Sequence, residues 1–325
     1  MRCILNDETD PTFNGAAEEY LLNNSHEACF MLWRNHKAVV IGRNQNAMAQ
    51  INADTVEREG VAVVRRISGG GAVYHDLGNV NFTFIMPAAG EYAIDFQSYT
   101  RPIQSFLNRL GIVAVLDGRS DLIVGGMKVS GNAQHIHRQR VLHHGTLLFD
   151  TDLEMLAEVL QPAPANYDDK AVRSNPRRVT NIRAHLVAPV SVKRFMDRLM
   201  AHICRVYDGA PAILSAAEKS AIAALADSKY KRWEWNFGEA PEYRFRKATP
   251  YPQGTIEVCL QVQKGIIRAL RLEGAGFGTA QAAAVKAGLH GCRHNRGAVK
   301  ERLCRIAFDA NIENASIGQL LDCLF

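Results

Sequence analysis

The sequence predicts an α+β protein of two unequal domains, and three observations point there. Helical and strand patterns are mixed along the chain without the regular alternation that builds a doubly wound parallel sheet. The chain has 325 residues, more than one hydrophobic core usually organises. A Pro/Gly-rich stretch, 248–254 (ATPYPQG), interrupts the pattern late in the chain. We read 1–247 as the larger α+β domain, 248–254 as a linker, and 255–325 as a small C-terminal domain of a hairpin and helices.

The elements follow in order. Asp10-Pro11-Thr12 opens a helix, because aspartate caps the orphan N–H groups and the fixed φ of proline suits the first turn. Residues 28–33 and 37–42 are apolar runs that read as strands, with Arg34-Asn35-His36 as a hairpin connection. A third strand, 61–67, runs straight into Ser68-Gly69-Gly70-Gly71. Residues 79–86 (NVNFTFIM) alternate polar and apolar and read as a half-buried strand. Ile103, Phe106, Leu107 and Leu110 recur at helical spacing, and Gly111 closes that helix. Strands at 121–125 and 141–149 flank the segment Met127 to Asn132, and a short helix at 152–160 ends before Pro162. Ser191 caps a helix with an apolar face of Val192, Phe195, Met196, Leu199 and Ile203, and Ser215 with Glu218 forms a capping box. Past the linker, 255–263 and 266–272 form a hairpin around Lys264-Gly265, followed by helices at 279–287, 297–309 and 316–324. Val258, Leu260, Val262, Ile267, Leu270, Leu303, Ile306 and Phe308 give this tail a core of its own.

Composition narrows the function. With 47% hydrophobic and 22% charged residues the chain has the apolar content for packed cores, which excludes disorder over most of its length. Its longest apolar runs fall far short of a bilayer-crossing segment. The N-terminus reaches Asp7 with no apolar leader, so the expected setting is the cytoplasm, without a membrane partner. The seven cysteines include no CxxC pair and read as free buried thiols. A scattered net charge of +5 suits anionic small molecules or an acidic partner, and no aromatic-basic stripe marks a nucleic-acid platform.

Two motifs carry chemistry. In RRISGGGAVYHD (65–76) three glycines after a strand let the backbone bend and approach a ligand closely, while Arg65 and Arg66 supply charge-assisted donors for an anion. The bland alternative is a flexible turn. The loop is not a P-loop, which needs Gly-Lys-Ser/Thr. In Lys128-Val129-Ser130-Gly131 an ammonium between two apolar strands is placed to bind a carboxylate and a phosphate and to stabilise charge growing between them; the alternative is a solvated lysine. His135, His137, His143 and His144 lack a cysteine or carboxylate at metal spacing, so no metal ligand is assigned. No Gly-x-Ser-x-Gly elbow supports a Ser/His/Asp hydrolase.

Taken in order and spacing, these pieces resemble the bacterial lipoate–protein ligases. RRISGGGAVYHDLGN, Asp121-Leu122, Lys128 to Ala133, His143 to Leu148, Val172-Arg173-Ser174 and Val179-Thr180-Asn181 carry the resemblance over about 1–240, joined by Glu18-Glu19, Trp33-Arg34-Asn35 and Trp233 to Gly238. It implies a biotin/lipoate protein ligase-like catalytic domain of mixed β-sheets with flanking helices, and a tail like the family's small C-terminal α/β accessory domain. It also implies an enzyme that joins lipoate or octanoate to AMP from ATP, releasing diphosphate. The acyl group then passes to a lysine of apo lipoyl domains, on 2-oxoacid dehydrogenase E2 subunits and the glycine-cleavage H protein. By position, Lys128 is the catalytic residue and touches both the acid and the α-phosphate. Arg66, Ser68, Gly69, Gly70, Gly71, Ala72, Val73, Tyr74, Arg119, Thr146, Arg173 and Ser174, with the adjoining Asn175, are the ATP and adenylate residues. His75 and His144 join Lys128 on the lipoate. Mg²⁺ is expected with ATP, its ligands unassigned. The tail is expected to act as a lid hinged at 248–254. Related transferases use a cysteine nucleophile, and this chain has none between Cys29 and Cys204.

Overall fold

The computed structural model describes residues 1–88, 95–118, 120–162, 165–251, 254–274, 279–310 and 314–325. Its backbone divides into two compact units, and neither is one continuous stretch: 1–43, 62–158 and 174–232 make the first, and 44–61, 159–173 and 233–325 the second.

The first unit holds an eight-stranded mixed sheet. Its order is β12 (Ala210–Ala212), β1 (Arg2–Leu5), β2 (Cys29–Trp33), β6 (Asn79–Pro87), β10 (Arg140–Leu148), β9 (Met127–His137), β8 (Asp121–Val124) and β7 (Ala114–Asp117). A three-stranded sheet accompanies it, β4 (Ala62–Arg65), β3 (Ala38–Ile41) and β5 (Val73–His75). Helices α1 (Pro11–Asn24), α3 (Gln97–Arg109), α4 (Leu153–Val159), α5 (Val192–Val206) and α6 (Ala216–Leu225) flank these sheets.

The helix starts follow the capping chemistry. The Asp10 carboxylate accepts from the Thr12 N–H at 2.8 Å, and the Ser191 hydroxyl accepts from Arg194. Ser215 and Glu218 close a reciprocal box. Glu218 also accepts from Arg2 at 2.8 Å, and that bond holds its carboxyl down at about 2.

Strand β6 explains how one sheet makes both a core and a site. Its alternation puts Val80, Phe82 and Phe84 on one face, where they pack with Phe30, Leu32, Ile103, Phe106, Phe195 and Leu199. Asn79, Asn81 and Thr83 take the other face and are equally buried, at 1% exposure or less. The alternation predicted a half-buried strand, but this face is covered too: Thr83 donates to Glu18 of α1 and accepts from Trp33, and Asn79 donates to Asn81. Period-2 alternation separates the faces and does not say what covers them.

The link Arg34-Asn35-His36 does not close a hairpin. β2 pairs with β1 and β6, whereas β3 pairs with β4 and β5, so the three residues cross from one sheet to the other. That crossing buries Asn35 at 1% exposure.

The second unit is built on the antiparallel order β11 (Asn166–Asp169), β13 (Tyr243–Tyr251), β14 (Gly254–Gln263) and β15 (Ile266–Gly274), with α2 (Ala53–Arg58), α7 (Thr279–Leu289), α8 (Arg296–Ala310) and α9 (Asn314–Leu324). Lys264 and Gly265 both take positive φ, +51° and +69°, the geometry of a tight hairpin turn. Val258, Leu260, Val262, Ile267, Leu270, Leu303 and Ile306 are all buried; the side chain of Phe308 lies outside the described residues. The stretch read as a linker has another local structure. β13 runs to Tyr251 and pairs with β14 from Gly254, because Pro and Gly punctuate a hairpin as readily as a linker. Pro252 and Gln253 lie outside the described residues. Among the described residues no helix is long and apolar enough to cross a membrane. All seven cysteines are free, and Cys304 is exposed rather than buried.

Candidate active site

Between the large sheet and the three-stranded sheet of the first unit lies a cavity of about 300 Å³. The glycine loop supplies Gly70, Gly71, Ala72 and Val73; Lys128, Gly131 and Ala133 come from β9, His144 and Thr146 from β10, and Asp117 and Asp121 from β7 and β8. Arg66, His75, Ser174 and Asn175 also reach it. Ser68, Gly69 and Tyr74 are not among its walls. Arg119 lies outside the described residues. Arg173 belongs to the second unit, where its guanidinium donates to Tyr167 O and Asp169, each at 3.0 Å.

The loop is rigidly held rather than flexible. Arg66 is 8% exposed, and its guanidinium donates to Gly69 O at 2.7 Å, Gly71 O at 2.8 Å, Val40 O at 3.0 Å and Ser68 Oγ at 3.0 Å. Burial pulls this guanidinium down to about 10, still charged at neutral pH. The sequence reading gave Arg66 to a phosphate; in this structure it is a strut that curls the glycine carbonyls inward. Arg65 likewise donates to Gly42 O and Arg43 O, and Arg43 N donates to Ser68 O at 2.8 Å. Gly70 sits at φ +96°, where a side chain is strained. The Ala72 N–H donates to Ser174 Oγ at 2.9 Å, which ties the far end of the loop to the 174–178 segment.

Beneath the loop runs a buried polar chain. Ser68 Oγ lies 2.6 Å from His144 Nε2, and His144 Nδ1 lies 2.8 Å from Glu18 Oε1. Glu18 also accepts from Thr83 Oγ1 at 2.6 Å, and Thr83 accepts from Trp33 Nε1 at 2.9 Å. Serine, histidine and glutamate in this order have the outline of a hydrolytic triad. Ser68 is fully buried and its oxygen already accepts from Arg66, so it has no approach to a substrate carbonyl. The chain fixes the loop to α1 and the sheet. Sequence reasoning missed Glu18 as a partner, since 126 positions separate it from His144.

Lys128 is 25% exposed on its side chain, and its Nζ lies 3.0 Å from Asp121 Oδ1. The ammonium folds over Gly131, where an added Cβ would meet Nζ at 2.8 Å. Its backbone is clamped as well: Lys128 N donates to Arg178 O and Thr180 N donates to Lys128 O. Arg177 reaches Asp117 at 3.4 Å and Asp121 at 4.0 Å, so two cations and two carboxylates alternate at this end of the cavity. Asp121 and Arg177 carried no role in the sequence reading.

The four histidines do not gather. His143 stacks on Tyr99 with 4.9 Å between centroids and is pushed down to about 3 by burial, with neighbouring His144 next. His135 and His137 stack on each other on β9. Among the described residues no three His, Cys, Asp or Glu side chains are grouped to hold a metal ion.

This arrangement was compared with known proteins. The family model for the lipoyl protein ligase A/B catalytic domain matches residues 10–204, and that for the bacterial lipoate protein ligase C-terminus matches 240–324. The chain belongs to the lipoyl protein ligase family. Lipoate–protein ligase 1 of Staphylococcus aureus is 35% identical over 93% of both chains. A bipartite lipoate protein ligase of Thermoplasma acidophilum, studied together with its E2 lipoyl domain, is 25% identical with a TM-score of 0.64 over 73% of this chain and 96% of that one. A crystal structure of lipoate-protein ligase A bound with ATP gives 25% identity and a TM-score of 0.61 over 73% of this chain and 98% of that one. The fold is accordingly that of the lipoate ligases, and the chain is an enzyme that ligates lipoate to protein.

Proposed function

We propose that the cavity activates lipoate with ATP and then delivers the lipoyl group to a lysine of an acceptor domain. The observation that carries this reading is that Lys128 and the Gly70–Val73 backbone wall one cavity. A carboxylate is a poor electrophile. In the first step its oxygen attacks the α-phosphorus of ATP and diphosphate leaves, giving lipoyl-AMP. In the second the acceptor ε-amine attacks the acyl carbon, AMP departs, and the amine gives up its proton.

Lys128 serves both steps. Its ammonium lies against Asp121 in the free protein and transfers to the incoming carboxylate and the α-phosphate oxygens, where charge grows in the transition state. Gly70, Gly71, Ala72 and Val73 bring backbone within reach of the nucleotide with Arg66 as their strut, and Thr146, Ser174 and Asn175 complete its surroundings. The lipoyl tail lies toward Trp33, His75 and His144. Mg²⁺ fits this donor set, because it keeps phosphate oxygens and takes one or two carboxylates; Asp117 and Asp121 would hold it and it would neutralise phosphate charge.

No described cysteine lines the cavity, which favours acyl adenylate over a thioester route. Apo lipoyl domains of 2-oxoacid dehydrogenase E2 subunits and the glycine-cleavage H protein are the proposed acceptors. The Thermoplasma relative studied with its E2 lipoyl domain supports the first of these. We assign catalysis to the first unit and an accessory role to the second. Lipoate-dependent exchange of labelled diphosphate into ATP tests the reading. Exchange with lipoate is expected; ATP-independent lipoylation from an acyl thioester would overturn it.

A further inference from the structure

Arg65, Arg66 and Arg177 all reach the cavity wall, and they differ in what holds them. Arg65 and Arg66 are buried, and their guanidinium groups donate to backbone carbonyls of the surrounding turns. The side chain of Arg177 is 48% exposed. Among the described residues it makes no hydrogen bond and meets only the carboxylates of Asp117, at 3.4 Å, and Asp121, at 4.0 Å. Charge-assisted bonds close to about 2.7–2.9 Å, so both contacts are loose. The fork of guanidinium N–H donors stays open to an anion that enters the cavity.

Backbone register explains why this cation stands beside the reacting groups. β8 and β9 pair Asp121 with Gly131 and Leu122 with Ser130, then Ile123 with Lys128. The residue passed over, Val129, makes a bulge that turns Lys128 onto the face Asp121 shares with Ile123. Without the bulge Lys128 would share the face of Leu122, which packs in the core. Asp117 stands directly across from Asp121 on β7. Like charges opposed in this way repel, and Lys128 and Arg177 offset the repulsion.

The segment around Arg177 is tied at both ends. Three residues before it, Ser174 Oγ accepts from Ala72 N at 2.9 Å. One residue after it, Arg178 O accepts from Lys128 N at 2.8 Å. Arg177 therefore lies between the end of the glycine loop and the Lys128 backbone.

We propose that Arg177 is a further catalytic residue, the cation that takes the outer phosphates of ATP and then the leaving diphosphate. As the acid oxygen bonds to the α-phosphorus, the bond from that phosphorus to the bridging oxygen breaks. Diphosphate departs with the electron pair. The single ammonium of Lys128 is engaged by the acid and the α-phosphate, so the charge growing on the departing oxygens needs a second donor. A guanidinium fork matches phosphate oxygens in a bidentate way that an ammonium does not. The carboxylates that meet Arg177 in the free protein are those assigned to Mg²⁺, so loading the site releases the guanidinium. The inference rests on the reading of the cavity as the site where lipoate is activated with ATP.

Diphosphate is itself a substrate of the exchange reaction, so its KM can be read directly. Calorimetry of diphosphate binding in Mg²⁺ buffer gives a second readout that needs no turnover. Arg177→Gln should raise both the KM and the Kd for diphosphate about ten- to hundredfold, the worth of a charge-assisted bond. Arg177→Lys keeps the charge without the fork and should fall between Arg177→Gln and wild type. Transfer from supplied lipoyl-AMP to an apo lipoyl domain involves no diphosphate, so Arg177→Gln should slow it far less than it slows exchange. Wild-type KM and Kd for diphosphate in both variants would overturn the proposal. Equal losses in exchange and transfer would overturn it too, leaving Arg177 only a partner of the two carboxylates. A wild-type enzyme without lipoate-dependent exchange would instead overturn the underlying reading of the cavity.

Discussion

Gly42→Ala should damage catalysis by moving the glycine loop as a body. A Cβ at Gly42 would lie 2.1 Å from Gly70 O and 3.1 Å from Gly70 C, backbone atoms with no rotamer to change. Restoring ordinary contact requires roughly 1 Å of retreat, the scale on which overpacked sites cost about 1–3 kcal/mol. The loop cannot retreat freely, because Arg66 holds Gly69 O at 2.7 Å and Gly71 O at 2.8 Å, and Arg43 N holds Ser68 O at 2.8 Å. A misplacement of about 1 Å at a positioned site costs on the order of a hundredfold in rate. We therefore expect kcat/KM for ATP in lipoate-dependent diphosphate exchange to fall about a hundredfold, with cooperative urea unfolding retained. Gly69→Ala is the control: nothing lies within 4 Å of its added Cβ, so stability should change by less than about 0.5 kcal/mol. Wild-type kcat/KM in Gly42→Ala would refute the argument that loop position carries nucleotide binding.

Four other outcomes follow from the same geometry. Lys128→Ala should lower diphosphate exchange by about 10²–10³ with unfolding unchanged, as for loss of one donor to developing charge, and near-normal exchange would contradict its role. Glu18→Leu removes the acceptor of His144 Nδ1 and Thr83 Oγ1 and should cost about 3 kcal/mol in urea unfolding; less than about 1 kcal/mol would show that the buried chain is not structural. Burial holds His75 and His143 down to about 3 and His294 down to about 4, below the roughly 6.5 of an unfolded histidine, so the folded state binds fewer protons. Stability from these groups is complete above about pH 6.5 and is lost as pH falls toward 3; a urea midpoint that stays level between pH 7 and pH 5 would contradict this. A 1–247 chain loses β14 and β15 while keeping 44–61 and 159–173 of the same unit, so limited proteolysis should digest those segments, against protection if the tail were independent.

Much of this fold was legible because local chemistry and global structure agree. Asp10, Ser191 and Ser215 start the helices they should, and Lys264-Gly265 turns the hairpin it should. The failures share a cause. Arg34-Asn35-His36 and 248–254 were judged by turn composition, which does not reveal which strands pair across it. β6 was read as half-buried because alternation is blind to what packs over the polar face, here Glu18 of α1 and Trp33. In the site, the glycine loop and Lys128 were readable from adjacent residues. The Ser68–His144–Glu18 chain and the Asn14–Asn35–His75 hydrogen bonds join distant segments that only the folded register brings together, while Lys128 and Asp121 meet across the neighbouring strands β9 and β8. Arg66 shows the limit of residue type: a guanidinium beside a glycine loop suits a phosphate or the loop's own carbonyls, and burial selects the carbonyls.

The most direct test of the account is a rapid-quench single turnover of the full chain with lipoate and ATP, read by mass spectrometry before and after an apo lipoyl domain is added. The account predicts that lipoyl-AMP accumulates in proportion to enzyme without acceptor. On addition it should disappear as one acceptor lysine gains the lipoyl amide. Lipoylated acceptor formed without any adenylate, or a lipoyl thioester on one of the chain's cysteines, would contradict it.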